Sequence, residues 1–97
     1  MKILVCCGSG LGSSFMIEMN IENVLNELGV KGVEVNHSDL ASAKGTNADI
    51  YVGTRDIAVR LEGLGGDVVS LNNMIDINEL KEKLTEVLKK KVFYKID

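Results

Sequence analysis

The stretch Lys2-Ile-Leu-Val-Cys-Cys-Gly-Ser-Gly-Leu-Gly-Ser-Ser14 decides how the chain folds and what it can do. Ile3, Leu4, Val5 and Cys6 form a short apolar run, the pattern of a strand buried on both faces. Gly8, Gly10 and Gly12 follow at alternate positions. Ser13 and Ser14 then open a helix that starts with Phe15, Met16 and Ile17. A strand, a glycine-rich turn and a helix start make an anion cradle. The first N–H groups of a helix have no internal partners, and the helix dipole adds partial positive charge there. Cys7 stands at the lip of that cradle, where a thiol can itself carry a phosphate.

Working outward, 97 residues make one domain, 1–97, large enough for a core without staples. The net charge of −3 points away from nucleic acid and from anionic membrane surfaces. No apolar run approaches the roughly 20 residues that span a bilayer, and the run before the glycines is too short for a signal peptide. Cys6 and Cys7 are adjacent, a spacing that suits neither an unstrained disulfide nor a metal site. Free thiols in a reducing, cytoplasmic compartment are expected, with no metal or cofactor.

Strand one covers residues 2–6 and helix one about 13–28, with Ile17, Ile21, Val24, Leu25 and Leu28 on one face. Glu18, Glu22, Asn23 and Glu27 fall on the other. Gly29 ends that helix. Val33 and Val35 alternate with Glu34 and Asn36, the pattern of a half-exposed edge strand that reaches His37. Residues 38–47 hold at most a turn or two of helix, and strand three spans Ala48 to Val52. Thr54 caps a short helix carrying Ile57, Ala58, Leu61 and Leu64, which glycines 63, 65 and 66 end. Val68, Val69 and Leu71 form strand four. Asp76 and Glu79 have the spacing of a capping box before a helix with Ile77, Leu80, Leu84, Val87 and Leu88 on one face. Lys89, Lys90 and Lys91 suit its carboxyl end, while Val92 to Asp97 fit either a frayed end or a docked extension.

Strands alternating with helices imply an α/β fold. The expected form is a small three-layer sandwich, flavodoxin-like or tyrosine-phosphatase-like. Its parallel sheet has four strands in order 2-1-3-4, with helices on both faces. The switch point lies between strands one and three. There the glycine loop would face Gly53-Thr54-Arg55-Asp56.

Amides of residues 9–14 would lower the pKa of the Cys7 thiol and hold the oxygens of a phosphoryl group on its sulfur. Other phosphate loops fit less well. A Walker loop needs a lysine where the chain reads Gly12-Ser13-Ser14. A cysteine phosphatase of the small tyrosine-phosphatase type needs an arginine where Ser13 stands. The dinucleotide fingerprint fails because the third glycine comes one residue early. Amide donors without a fixed cation suit a relay that accepts phosphate and passes it on.

The run Cys7-Gly8-Ser9-Gly10-Leu11-Gly12-Ser13-Ser14, with Phe15-Met16-Ile17-Glu18-Met19-Asn20 after it, resembles the IIB component of the bacterial phosphoenolpyruvate-dependent sugar phosphotransferase system. The ascorbate type, near the lactose and galactitol types, is the nearest branch. Asp39-Leu40, Ala43-Lys44-Gly45 and Asn72-Asn73 extend the likeness along the chain. The resemblance implies that Cys7 takes phosphate from a phosphohistidine of a IIA protein and passes it to a sugar carried by a membrane IIC permease. Gly8, Ser9, Gly10, Leu11, Gly12, Ser13 and Ser14 would form the phosphate loop. It also implies a free-standing subunit in the cytoplasm, peripherally associated with the permease, and ascorbate or a related compound as the sugar.

The single residues also carry plainer readings. Cys6 reads as a core residue, and Ser13 and Ser14 as caps first. His37 reads as a strand-end residue outside the site, and Arg55 as a solvated helix start or a phosphate contact. Met16 and Met19 read most simply as core, although exposed methionines beside the loop would suit a docking surface. Three other readings stay open: a IIB-like regulatory module without sugar transfer, a thiol-redox protein using Cys6 and Cys7, and a hydrolytic phosphatase.

Overall fold

The computed structural model describes residues 1–7, 11–73 and 76–90, with Cys7 and residues 11–14 followed as backbone. Strands and helices alternate: β1 (Lys2–Cys7), α1 (Leu11–Leu28), β2 (Glu34–Asp39), α2 (Leu40–Ala43), β3 (Ile50–Thr54), α3 (Arg55–Leu61), β4 (Asp67–Leu71) and α4 (Ile77–Lys90). The strands pair in parallel in the order β2-β1-β3-β4. The alternation of the chain dictates this, because each helix returns the chain to the same end of the sheet.

Period-two alternation of side chains splits the core into two layers. Ile3, Val5, Ile50, Val52, Val69 and Leu71 meet Ile17, Ile21, Val24 and Leu25 of α1 and Leu80, Leu84 and Leu88 of α4. On the other face, Leu4, Cys6 and Tyr51 meet Ala43 of α2 and Ile57 and Leu61 of α3. The second layer contains a buried phenol, and its hydrogen bonds are made. Tyr51 Oη donates to the Thr46 carbonyl at 2.7 Å and accepts from the Ala48 amide at 3.2 Å. Gly29, at φ 73°, ends α1 with paired bonds, Gly29 N–H to Asn26 O and Val30 N–H to Leu25 O.

The structure corrects several readings. Helix α1 begins at Leu11, so Leu11, Gly12, Ser13 and Ser14 form its first turn. Strand β3 starts and ends two residues later than its apolar run suggests. Asp49 instead joins the start of β1, its carboxylate accepting from the Lys2 amide at 2.8 Å. Glu18 does not lie on a solvent face, since its side chain is 13% exposed against β2. Met16 and Met19 are exposed, and so is Ile77 at 51%, so none of them is core. Thr54 occupies the N-cap of α3 without a side-chain bond to the helix backbone. Its hydroxyl donates instead to Asp56 Oδ1 at 2.9 Å. Lys91 and the segment from Val92 to Asp97 lie outside the described residues.

Candidate functional site

Cys7 is the last residue of β1 and pairs in register with Asp39, the last residue of β2. On the other side β1 pairs with β3 from Ile3↔Ile50 to Val5↔Val52. Gly53 follows on β3, and a Cβ there would lie 3.3 Å from the Cys6 carbonyl oxygen and 3.0 Å from Ile57 Cγ2. Glycine thus lets β3 and α3 close up beneath the point where β1 ends, at the switch point between the two strands. Gly8, Ser9 and Gly10 lie outside the described residues. Cys7 and the helical turn Leu11–Ser14 flank them on either side, at the carboxyl end of the sheet.

The parallel topology starts all the helices at this same end, so each presents amide N–H groups there. Three of the starts are closed by the chain's own carboxylates. At α2, Asp39 accepts from the Ser42 amide at 2.7 Å, and this bond holds the Asp39 carboxyl below its ordinary value. At α3, the Thr54 hydroxyl and nearby backbone amides do the same for Asp56. At α4, Asp76 caps the Glu79 amide at 3.1 Å, which is half of the expected capping box.

The other half of that box differs. Glu79 does not turn back to the Asp76 amide but reaches the end of β4. It accepts from the Asn72 amide at 3.0 Å, the Asn73 amide at 3.0 Å and Asn72 Nδ2 at 2.8 Å. Lys83 Nζ completes the set at 2.9 Å and also donates to the Ser70 carbonyl. These donors, with the Asn72 amide foremost, lower the Glu79 carboxyl from 4.5 to about 2.

Helix α1 is built the other way. Its first turn has no acidic residue, and residues 3–17 carry no charged side chain. Among the described residues it is the helix start left without a carboxylate. A helix start of this kind can take an anion from outside.

The remaining candidates separate clearly. Cys6 is fully buried in the α2/α3 layer, as its strand position predicts. Arg55 lines a cleft of about 440 Å³ between α3 and β4, with Glu62, Gly66, Asp67 and Ser70. His37 sits on β2 opposite Val5 and binds Glu18 of α1. Phe15, Met16 and Met19, exposed by 54%, 46% and 49%, form an apolar surface on α1 just past its start. Helical spacing held the signal for that exposure. The buried stripe runs Ile17, Ile21, Val24 and Leu25, and residues 15, 16 and 19 fall off it. Among the described residues no group of His, Cys, Asp or Glu could hold a metal, and no helix is long and apolar enough to cross a membrane.

Comparison with known proteins agrees with this geometry. Residues 2–86 match the model of the family described as the lactose/cellobiose-specific IIB subunit of the phosphotransferase system. An ascorbate-specific EIIB component from Mycoplasma pneumoniae is 29% identical over 91 residues, covering 91% of this chain and 95% of that protein. Its counterparts in Salmonella typhimurium and Escherichia coli O157:H7 are 31% identical over 91 residues, covering 91% of this chain and 89% of theirs. The lactose-specific IIB domain of Streptococcus pneumoniae superposes with a TM-score of 0.60 at 21% identity. The match covers 99% of this chain and 98% of that one, and shows a shared fold. The chain is a member of the IIB subunit family of the sugar phosphotransferase system.

Proposed function

We propose that the protein is a phosphocysteine carrier. The Cys7 thiolate attacks the phosphorus of a phosphohistidine on a IIA protein. The P–N bond breaks as the S–P bond forms, and the imidazole takes up a proton. A sugar hydroxyl delivered by a membrane IIC permease then attacks the same phosphorus. The S–P bond breaks, the thiolate returns and the hydroxyl proton leaves. Residues Gly8 to Ser14 supply the amides and hydroxyls that hold the phosphoryl oxygens.

One observation carries this reading. Cys7 ends the central strand beside the helix start that lacks a carboxylate. An uncompensated helix start favours both a thiolate and a phosphoryl dianion. The relatives named for ascorbate support ascorbate or a similar sugar acid as the acceptor. The carrier works in the cytoplasm and docks on the permease.

Intact-protein mass spectrometry after incubation with phosphorylated IIA tests the proposal. The expected gain is about 80 mass units, lost in Cys7→Ser and retained in Cys6→Ser, as attack by a single thiolate requires. A Cys7→Ser variant that still gains, in equal yield, a phosphate with the lability of an S–P bond would overturn it. Reconstitution with IIC and labelled ascorbate then separates sugar transfer from a purely regulatory role.

A further inference from the structure

Glu18 is the first charged residue after Lys2 and lies in the second turn of α1 with its side chain largely covered. A carboxylate in such a place needs a donor. His37 provides it, with Nδ1 2.8 Å from Glu18 Oε1. An ionised carboxylate only accepts, so the ring nitrogen donates. The ring of Phe15, one turn back on α1, meets the imidazole edge-on with centroids 6.3 Å apart. His37 therefore touches two successive turns of α1 from the edge strand beside it.

The register fixes how near this is to the reacting thiol. His37 pairs with Val5, and Asp39 pairs with Cys7. With a rise of about 3.3 Å per residue and about 4.8 Å between strands, the His37 backbone lies roughly 8 Å from that of Cys7. The other charged groups around His37 are accounted for. Asp39 is held by the Ser42 amide. Glu34 lies opposite Lys2, at the far end of the strand. Glu22 is exposed and one helical turn farther from the start of α1.

We infer that His37 is a positioning residue for the Cys7 chemistry, screening the Glu18 carboxylate so that the start of α1 keeps its attraction for anions. The inference rests on Cys7 as the phosphoryl acceptor. Without the imidazole N–H, the Glu18 carboxylate loses its donor and more of its field reaches the helix start beside Cys7. A unit charge about 10 Å away shifts a thiol by a few tenths of a pKa unit in water and by about one unit at an effective dielectric constant of 20. A lost hydrogen-bond donor exposes only part of that charge, so the change in thiolate reactivity at neutral pH is about two- to threefold.

The test measures the pH profile of Cys7 alkylation by iodoacetamide, read by peptide mass spectrometry, in wild type, His37→Ala, Glu18→Gln and the double variant. His37→Ala should move the profile to higher pH and slow alkylation at neutral pH about two- to threefold, by the partial exposure of the Glu18 charge. Adding Glu18→Gln should bring the profile back at least to that of wild type. A tether that acted only by holding α1 in place would show no such rescue. A double variant as slow as His37→Ala overturns the inference, and so does an unshifted His37→Ala profile. If His37→Ala fails to fold, His37→Gln, which keeps an N–H donor, carries the same comparison with a smaller shift. Phosphoryl acceptance from IIA is followed in parallel. Wild type that alkylates but accepts no phosphate sinks the carrier reading, while the alkylation profiles still decide the role of His37.

Discussion

The β1–α1 and β4–α4 junctions occupy the same end of the same sheet and run strand to helix in the same sense, yet they solve the same problem in opposite ways. At β4–α4 the chain satisfies its own amides. Asp76 caps the helix, and the Glu79 carboxylate binds the Asn72 and Asn73 amides with Lys83 behind it. At β1–α1 the first turn of the helix carries no acidic residue, although an N-terminal cap contributes about 1 kcal/mol to a typical helix. In the carrier proposed above, this difference is what makes a phosphate site out of a common piece of architecture. Amides at a helix start are everywhere in an α/β fold, and the site is the place where the chain does not use them itself.

The largest effect should come from making the first junction resemble the second. Ser13 is the third residue of α1, where an acidic side chain suits the helix dipole by about 0.3–1 kcal/mol. Ser13→Asp should therefore leave the melting temperature unchanged or slightly higher. Phosphoryl acceptance by Cys7 should fall on the order of a hundredfold, because a fixed carboxylate opposes both the thiolate and the incoming phosphate. Stopped-quench phosphorylation beside a thermal melt checks both halves. Full activity in Ser13→Asp would mean that the bare helix start plays no part.

A second contrast sets Gly53 against Gly66, one at the site end of the sheet and one at the other. A Cβ on Gly66 would lie 2.6 Å from the Ala48 carbonyl oxygen, so backbone must move. Gly66→Ala should cost about 3 kcal/mol in urea unfolding while the folded fraction keeps its Cys7 reactivity. Gly53 has a softer clash, 3.0 Å to the Ile57 side chain and 3.3 Å to the Cys6 carbonyl oxygen. Gly53→Ala should cost only about 1–2 kcal/mol but slow phosphoryl transfer, since the shift lies one residue from Cys7. Equal activity per folded molecule in the two variants would detach the β1–β3 closure from the chemistry.

Much of this was legible in the chain because local and global rules agree there. The apolar runs, glycine stops and alternation give the elements and the order 2-1-3-4 without ambiguity. The cysteine–glycine–serine run marks the proposed site. What escaped was set by long-range partners. Glu79 matches a capping box by spacing, but its carboxylate is taken by Asn72 and Asn73, which pattern alone cannot place beside it. Glu18 looks like a surface residue on the helix until β2 brings His37 against it. Met16 and Met19 read most simply as core from their chemistry, whereas their helical phase puts them outside. For Glu79 and Glu18 the residue type was read correctly and its neighbour was missing, while for the methionines the helical phase already held the signal.

The smallest effect tests the self-satisfied junction through acid. The folded Glu79 carboxyl titrates at about 2 against an ordinary 4.5, so the folded state resists taking up that proton. Its contribution to stability is then complete above about pH 4.5 and fades as the pH falls toward 2. Glu79→Gln removes the titration while keeping the side chain's length. The variant should melt lower than wild type at pH 7, and the two curves should converge as the pH is brought down toward 2. Asp39 and Asp56, whose carboxyls are also held low, are present in both proteins and drop out of the difference. A gap between the two curves that stays constant from pH 7 to pH 2 would show that Glu79 acts by shape and not by charge. The β4–α4 junction would then be closed by the Asp76 carboxylate alone, and the contrast with β1–α1 would rest on that cap.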